Sequence, residues 1–266
     1  MSQTPFDFAA PEYDGRFTET PAGKAQRGMV WRFLHKQLPP SPANILEINC
    51  GTGEDAVHLA TAGFHVTATD ASENMLAEAG KKFASVRMNV HSYVWDVRTP
   101  FIGTEKFNVI FSNFGGLNCL SPSELRSLFK RMQSQLSENG KLIIVVMGRN
   151  CPWERLLFSL KGNFKQAKRR KSKNAVIAKT GGENSLPVWY YSIEEIVEFA
   201  GDNFNLVFSR PIGLCIPPVY GKKAFWHNTM LIALLRNIET AIGGLKLFRN
   251  SGDHLFITLQ KNEADQ

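Results

Sequence analysis

One stretch, Asn44 to Ser72, constrains the fold of this chain more than any other. It begins with an apolar run from Ile45 to Ile48, passes through a turn that contains Gly51 and Gly53, and ends in a second apolar run that stops on Asp70. The residues between the two runs predict a short helix. Strand, glycine turn, helix and strand in this order form half of a nucleotide-binding βαβ unit.

The turn and the acid after it predict the class of ligand. Without Cβ atoms at Gly51 and Gly53, the backbone can adopt unusual φ/ψ values and a ligand can lie against it. Asp70 comes 17 residues after Gly53, at the carboxyl end of the second predicted strand. A carboxylate in that place can accept both hydroxyls of a ribose. The stretch therefore predicts an adenosine-type ligand.

Two classes of cofactor compete for such a site. The pattern Gly51-x-Gly53-x-x-Ala56 matches the dinucleotide fingerprint and favours NAD. Glu47 argues against NAD, because a diphosphate needs bare backbone amides and a helix N-terminus rather than a nearby carboxylate. An acid two residues before Asn49 suits a ligand with a cationic part.

The same residues resemble motifs I and II of the class I S-adenosylmethionine-dependent methyltransferases, whose cofactor carries an ammonium and a sulfonium but no phosphate. Asn49 stands where the family usually has its first glycine, and Asn tolerates left-handed φ better than most residues. The resemblance implies S-adenosyl-L-methionine as cofactor and S-adenosyl-L-homocysteine as product. It also implies an α/β, Rossmann-like, doubly wound seven-stranded sheet, mostly parallel with an antiparallel last strand, in the order 3-2-1-4-5-7-6.

The resemblance implies further cofactor contacts along the chain. Asp96-Val97 resembles the pair that binds adenine, and Asn113 to Asn118 resembles the end of strand four between cofactor and acceptor. Core packing is the alternative for Tyr13 and Met75, and a solvated charge for Arg27 and Asp96. The predicted cofactor-binding residues are Tyr13, Arg27, Glu47, Asn49, Cys50, Gly51, Gly53, Asp70, Ala71, Met75, Asp96, Val97 and Asn113.

The remainder of the chain predicts additions to one α/β domain. Residues 1–43 predict an N-terminal arm followed by a lid helix over Lys24 to Leu38, and residues 44–266 predict the methyltransferase domain. The pattern of apolar strands and amphipathic helices that is typical of the core is interrupted at about 148–191 and 211–252, which predicts two insertions. Their aromatic residues favour a pocket for a small, partly apolar methyl acceptor; these are Trp153, Trp189, Tyr190, Tyr220, Phe225 and Trp226.

The net charge of +7 comes from one segment. Residues 161–179 hold eight basic residues and no acid, which leaves 31 − 8 = 23 basic against 24 acidic residues elsewhere. Charge so localised argues against a long nucleic-acid track, which needs positive charge distributed over a surface. The basic run Lys165 to Lys173 predicts attraction of an acidic substrate, an acidic carrier protein or an anionic lipid headgroup, or else it is a solvated loop.

Other features of the sequence restrict the possible functions. No stretch approaches the roughly 20 apolar residues of a membrane span, and the first residues lack the basic and apolar regions of a signal peptide. Four widely spaced cysteines indicate reduced thiols in a cytoplasmic protein. No histidines pair at a metal-ligand spacing, so no metal is expected. His227 is a candidate general base, and no catalytic residue is assigned.

Three functions are compatible with these patterns. The first is a methyltransferase acting on a small, partly apolar molecule, and acidic or carrier-bound acceptors are compatible with it. The second is an RNA methyltransferase whose phosphate contact is Lys165 to Lys173. The third is a protein without turnover that binds this cofactor or NAD.

Overall fold

A seven-stranded sheet forms the centre of the protein. The structure is a computed structural model that describes residues 4, 6–86, 90–181, 184–219 and 228–262. The strands are β1 (Asn44–Ile48), β2 (His65–Asp70), β3 (Val90–Val94), β4 (Phe107–Ser112), β5 (Leu136–Met147), β6 (Val176–Gly181), β7 (Asn184–Val188), β8 (Phe204–Ile212) and β9 (His254–Lys261). The helices are α1 (Ala10–Tyr13), α2 (Pro21–Leu34), α3 (Glu54–Thr61), α4 (Glu73–Val86), α5 (Pro122–Gln135), α6 (Pro152–Leu160), α7 (Phe164–Ala167), α8 (Ile193–Ala200) and α9 (Thr229–Ile242).

The sheet has the order β3-β2-β1-β4-β5-β9-β8. Strands β1 to β5 pair in parallel, whereas β9 is antiparallel to both β5 and β8. This confirms the predicted class and strand order, with β8 and β9 as the sixth and seventh strands of the sheet. Because parallel strands end at the same edge, the residues after β1, β2 and β4 converge there.

Helices cover both faces of the sheet. Helices α2, α3 and α4 pack on one face through residues such as Met29, Leu59 and Phe83. Helices α5 and α8 pack on the other face, through residues such as Phe129 and Ile196. The continuous apolar runs of β4 and β5 are therefore buried on both sides, as a central parallel strand requires.

The N-terminal region differs from the extended arm and the helix predicted to begin at Lys24. The chain forms α1 and then a π-helical turn, Asp14–Thr18. Helix α2 begins at Pro21 because the Thr20 hydroxyl accepts a hydrogen bond from the Gly23 amide at 3.0 Å. Within the described part of the chain, every helix is too short or too polar to cross a bilayer.

The first insertion contains structure that the sequence analysis did not predict. Strands β6 and β7 form a separate antiparallel hairpin. Before it, Arg170 is 4% exposed and donates to Asp253 at 2.7 Å and to Glu154 at 2.8 Å. Arg169 also pairs with Glu154. The interpretation of Lys165 to Lys173 as a solvated loop is therefore wrong for its two arginines.

A buried carboxylate on α9 fixes the loop after β8. Glu239 is 1% exposed, and its carboxylate accepts hydrogen bonds from the amides of Gly213, Cys215 and Ile216 at 2.8, 2.9 and 3.0 Å. Burial raises the pKa of Glu239, although these backbone hydrogen bonds oppose the rise. Three backbone amides of this loop thus depend on a single side chain for their hydrogen-bond acceptor.

We predict that Glu239→Ala lowers the free energy of unfolding by roughly 2–4 kcal/mol, because it leaves these three amides without an acceptor. Urea denaturation followed by circular dichroism measures the change. Glu198→Ala is the matched control: that carboxylate is 66% exposed in an ion pair with Arg126, and its loss should cost at most about 1 kcal/mol. Equal losses for both variants would contradict this role of Glu239.

Candidate cofactor and acceptor site

A cavity of about 510 Å³ lies at the carboxyl ends of the parallel strands. Asn49 after β1, Asp70 at the end of β2 and Asn113 after β4 all line it. This volume lies within the range of pockets for small ligands and cofactors. The cavity is therefore where the topology of the sheet predicts a ligand site.

The turn between β1 and α3 has the backbone that its residues predict. Asn49, Gly51 and Gly53 adopt φ values of 57°, 55° and 76°. A Cβ on Gly51 would meet nothing within 4 Å, whereas one on Gly53 would lie 2.8 Å from Ala79 and Phe83. Gly51 therefore keeps backbone open to the cavity, and Gly53 allows α4 to pack closely behind the turn.

Asp70 holds this turn from the neighbouring strand. Its carboxylate accepts hydrogen bonds from the amides of Gly51 and Ser72, both at 2.9 Å. Burial raises the pKa of Asp70, and hydrogen bonds from Ser72, Gly51 and Ala71 oppose that rise. A carboxylate has about four acceptor positions, so the three amides leave at least one position for the hydroxyls of a ribose. The structure thus fits the role predicted for this acid.

Asp55, which the sequence analysis did not select, is a second buried acid beside the turn. Its carboxylate accepts hydrogen bonds from Trp31 Nε1 at 2.6 Å and Asn113 Nδ2 at 2.9 Å, and it pairs with Arg27 Nη1. Burial would lower the pKa of Arg27, but the charge of Asp55 outweighs it and raises that pKa. Three donors from α2 and the end of β4 thus converge on one carboxylate of α3.

The N-terminal arm is attached to the main domain beside the cavity by two carboxylates. Asp7 accepts a hydrogen bond from the Ser72 hydroxyl, and its carbonyl oxygen accepts one from Asn74 Nδ2 at 3.0 Å. Further along, Asp14 accepts from the Thr52 hydroxyl and pairs with Lys82, each at 2.7 Å. The arm is therefore held closed at the start of α4 and again across α3 and α4.

Nine of the thirteen predicted cofactor residues line this cavity: Tyr13, Asn49, Gly51, Asp70, Ala71, Met75, Asp96, Val97 and Asn113. Four others do not line it, namely Arg27, Glu47, Cys50 and Gly53. Contact of the nine with the cofactor remains a prediction.

Arg27 and Glu47 are both buried, and neither lines the cavity. The guanidinium of Arg27 is paired with Asp55 and lies over Phe114, 4.9 Å from the ring centroid, so the alternative of a solvated charge is wrong. Contact of Arg27 with the cofactor remains a prediction. Glu47 is 1% exposed, and its Oε2 has no hydrogen-bond partner among the described residues. Burial, with the nearby charge of Asp55, raises the pKa of Glu47 well above its usual value.

The other half of the cavity is apolar. Phe6 of the arm, Met147 at the end of β5, and Leu186 and Val188 of the hairpin line it and pack together. A hairpin signal was present in the sequence, since Gly181-Gly182 separates two short runs rich in apolar residues.

Several predicted acceptor contacts lie elsewhere. Trp153, Trp189 and Tyr190 are not among the lining residues. Asn118 is fully buried and bonds to backbone atoms of Met147 and Trp189, so it fixes structure rather than substrate. The remaining predictions lie outside the described residues: Tyr220, Phe225, Trp226 and His227.

The described cavity wall contains few groups that could accept a proton. Burial raises the pKa of Cys119 to about 11, so this thiol stays protonated at neutral pH. Burial also raises the pKa of Tyr13. Asp96 accepts a hydrogen bond from the Arg98 amide at 2.9 Å and pairs with its guanidinium at 3.4 Å.

Comparison with known proteins agrees with this geometry. Residues 45–140 match the family model described as a methyltransferase domain. A putative methyltransferase of Geobacillus sp. is 35% identical over 135 residues, covering 50% of this chain and 54% of that protein. The chain spans about half the length of the curated relatives that it matches.

Solved structures share the fold over nearly the whole chain. A protein from Pyrococcus horikoshii superposes with a TM-score of 0.61 and 18% identity, covering 95% of this chain and 99% of that one. A S-adenosylmethionine-dependent methyltransferase from Clostridium acetobutylicum gives a TM-score of 0.59 and 15% identity, covering 96% and 98%. The family resemblance drawn from Glu47 to Gly53 and Asp70 is confirmed.

We predict that Asp70→Ala weakens binding of S-adenosylhomocysteine roughly 100-fold, because charge-assisted hydrogen bonding to the ribose is lost and the amides of Gly51 and Ser72 lose their acceptor. Isothermal titration calorimetry measures the affinity, and circular dichroism checks that the fold is kept. Asp202→Ala, which removes an exposed carboxylate from the turn after α8, should bind as the unchanged protein does. An unchanged affinity in Asp70→Ala would show that the ribose lies elsewhere.

We predict that Asp14→Asn increases amide hydrogen exchange in the arm, since it weakens the pairing with Lys82. Burial opposes ionisation of Asp14, but hydrogen bonds from Lys82 and Thr52 outweigh it and lower its pKa. The stabilisation is therefore complete above the unfolded pKa and is lost as the pH falls through the lower folded pKa.

Hydrogen exchange of the arm is measured by mass spectrometry near neutral pH and below pH 3.8, which is the usual pKa of Asp. The difference between the two conditions reports the loss of this stabilisation. Glu12→Gln is the control, because its ion pair with Arg16 is 63–67% exposed. Equal exchange of the arm in Asp14→Asn and the unchanged protein would contradict the role of Asp14.

Proposed function

Because the chain belongs to the class I S-adenosylmethionine-dependent methyltransferases, we propose that it transfers a methyl group from this cofactor to a small, partly apolar molecule. One observation carries the proposal. A single cavity joins the Asp70 turn to an apolar wall made by Phe6, Leu186 and Val188. Donor and acceptor would therefore meet in one cavity.

The described residues fit the donor. Asp70 would hold the ribose, Asp96 and Val97 would lie at the adenine, and Asn49 and Gly51 would lie along the methionine part. When bound, S-adenosylmethionine supplies a methyl group on a sulfonium, which is already an excellent leaving group. The protein then contributes mainly alignment and the exclusion of water, which the attached arm and the hairpin provide.

The residues that line the cavity support an apolar acceptor more than an acidic one. Arg98 is the one cation among the described lining residues. Its guanidinium is already paired with Asp96 and Glu124, and it donates to the Cys119 carbonyl at 3.0 Å. An acidic acceptor would have to displace these partners. An acidic or carrier-bound acceptor therefore has less support than a neutral, partly apolar one.

The RNA alternative has less support as well. It requires the run Lys165 to Lys173 as a phosphate contact, yet Arg169 and Arg170 within it are bonded to Glu154 and Asp253. RNA binding to this run would rest on its lysines alone.

An assay of S-adenosylhomocysteine formation over a panel of small acceptors and RNA tests the proposal. We expect turnover with a partly apolar small molecule and none with RNA. Calorimetry should show binding of S-adenosylhomocysteine and none of NAD. Turnover confined to RNA, or tight NAD binding without a response to S-adenosylhomocysteine, would overturn the proposal.

A pair of hairpin variants separates the acceptor half from the donor half. Ala178 lines the cavity, whereas its neighbour Ile177 is 67% exposed. We expect Ala178→Trp to raise KM for the acceptor roughly tenfold by filling that half, without changing the affinity for S-adenosylhomocysteine. Ile177→Trp is the matched control and should leave both unchanged. Equal effects of the two variants on KM would contradict this assignment of the acceptor wall.

A further inference from the structure

The segment from residue 152 to residue 173, which forms α6, α7 and a 3₁₀ turn, presents apolar side chains to solvent. Leu156, Leu160 and Phe164 are 51%, 77% and 62% exposed. Leu156 and Leu160 are four residues apart in α6 and so lie on one face of the helix. Phe164 begins α7, which packs against α6. We call residues 152–173 the α6–α7 segment.

The same segment carries an excess of exposed positive charge. Lys161, Lys165, Lys168, Lys171 and Lys173 are all exposed. The first four form no ion pair with any described residue. The one acid between residues 152 and 173 is Glu154, which is 1% exposed and bonded to Arg169 and Arg170. No acid of the segment thus offsets the surface lysines.

Buried polar contacts hold the segment in place. Arg170 joins it to Asp253 beside β9 and to Glu154 at the start of α6. The Trp153 indole donates to the Cys215 carbonyl at 2.9 Å. The exposed apolar side chains are therefore held on an anchored surface and do not depend on an unstructured loop.

We propose that the α6–α7 segment docks the protein on an anionic lipid bilayer. Leu156, Leu160 and Phe164 insert at the boundary between headgroups and acyl chains, and the lysines lie at the level of the headgroups. Charge complementarity identifies the occupant, because the lysines attract anionic headgroups while the exposed apolar side chains of the same segment gain from burial in lipid. A surface that bound an acidic protein through charge alone would not need these three apolar groups.

Docking at this surface would place the acceptor wall beside the membrane. Strand β6 begins at Val176, three residues after Lys173, and Ala178 of this strand lines the cavity. The connection would allow an apolar acceptor to be taken from lipid. That consequence rests on the proposed function, whereas the docking itself does not.

Vesicle co-sedimentation of the full chain tests the proposal. We expect binding to phosphatidylcholine vesicles that contain phosphatidylglycerol, much weaker binding without it, and a decrease with salt. Replacing Lys161, Lys165, Lys168 and Lys171 with Gln should weaken binding roughly fivefold for each lysine removed. Leu160→Ser with Phe164→Ser should weaken it roughly tenfold for each side chain.

Lys246→Gln with Leu247→Ser is the matched control, because both residues are exposed on a different 3₁₀ turn. It should bind vesicles as the unchanged protein does. Thermal unfolding and S-adenosylhomocysteine binding confirm that each variant is folded. The proposal is overturned if the unchanged protein does not bind anionic vesicles. It is overturned equally if removal of Leu160 and Phe164 has no effect on vesicle binding, which would indicate attraction by charge alone without insertion.

Discussion

The pairing of Asp55 with Arg27, Trp31 and Asn113 is the interaction on which the site depends. A buried carboxylate is costly unless donors compensate its charge. Here the donors come from the lid helix and from the end of β4, while the acid itself stands on the helix after the glycine turn. None of these elements can move far without leaving the charge uncompensated. One carboxylate thus couples the lid helix, the helix after the turn and the end of β4.

The sheet places the remaining groups around this centre. Because β1, β2 and β4 end at one edge, their terminal residues meet although they are distant in sequence. Asp70 orders the turn through Gly51 and Ser72, and Asp7 and Asp14 bring the arm to the same region. Carboxylates recur at these junctions because each accepts several hydrogen bonds at once, from backbone amides as well as side chains.

Local sequence patterns predicted the elements whose structure depends on residues close together in the sequence. The strand, glycine turn, helix and acid from Asn44 to Ser72 follow from backbone freedom and periodicity, and the order of the sheet followed from the family resemblance. The ion pair of Arg27 was not predicted, because its partner, Asp55, lies 28 residues away and no sequence pattern identifies it. Arg170 is bonded to Asp253 across 83 residues, so a run that reads as solvated charge is partly an internal contact. Long-range pairing of charges is what the sequence alone did not reveal.

The hairpin of β6 and β7 contributes to the cavity from outside the central sheet. It packs in a small apolar cluster of its own with Phe6, Cys119 and Met147, while the groups predicted to hold the donor lie at the strand ends. Substitutions that reshape the hairpin therefore leave the structural demands of the donor half intact. If the hairpin forms the acceptor wall as proposed, such an arrangement would allow selectivity for the acceptor to diverge over evolutionary time while the donor half is inherited unchanged.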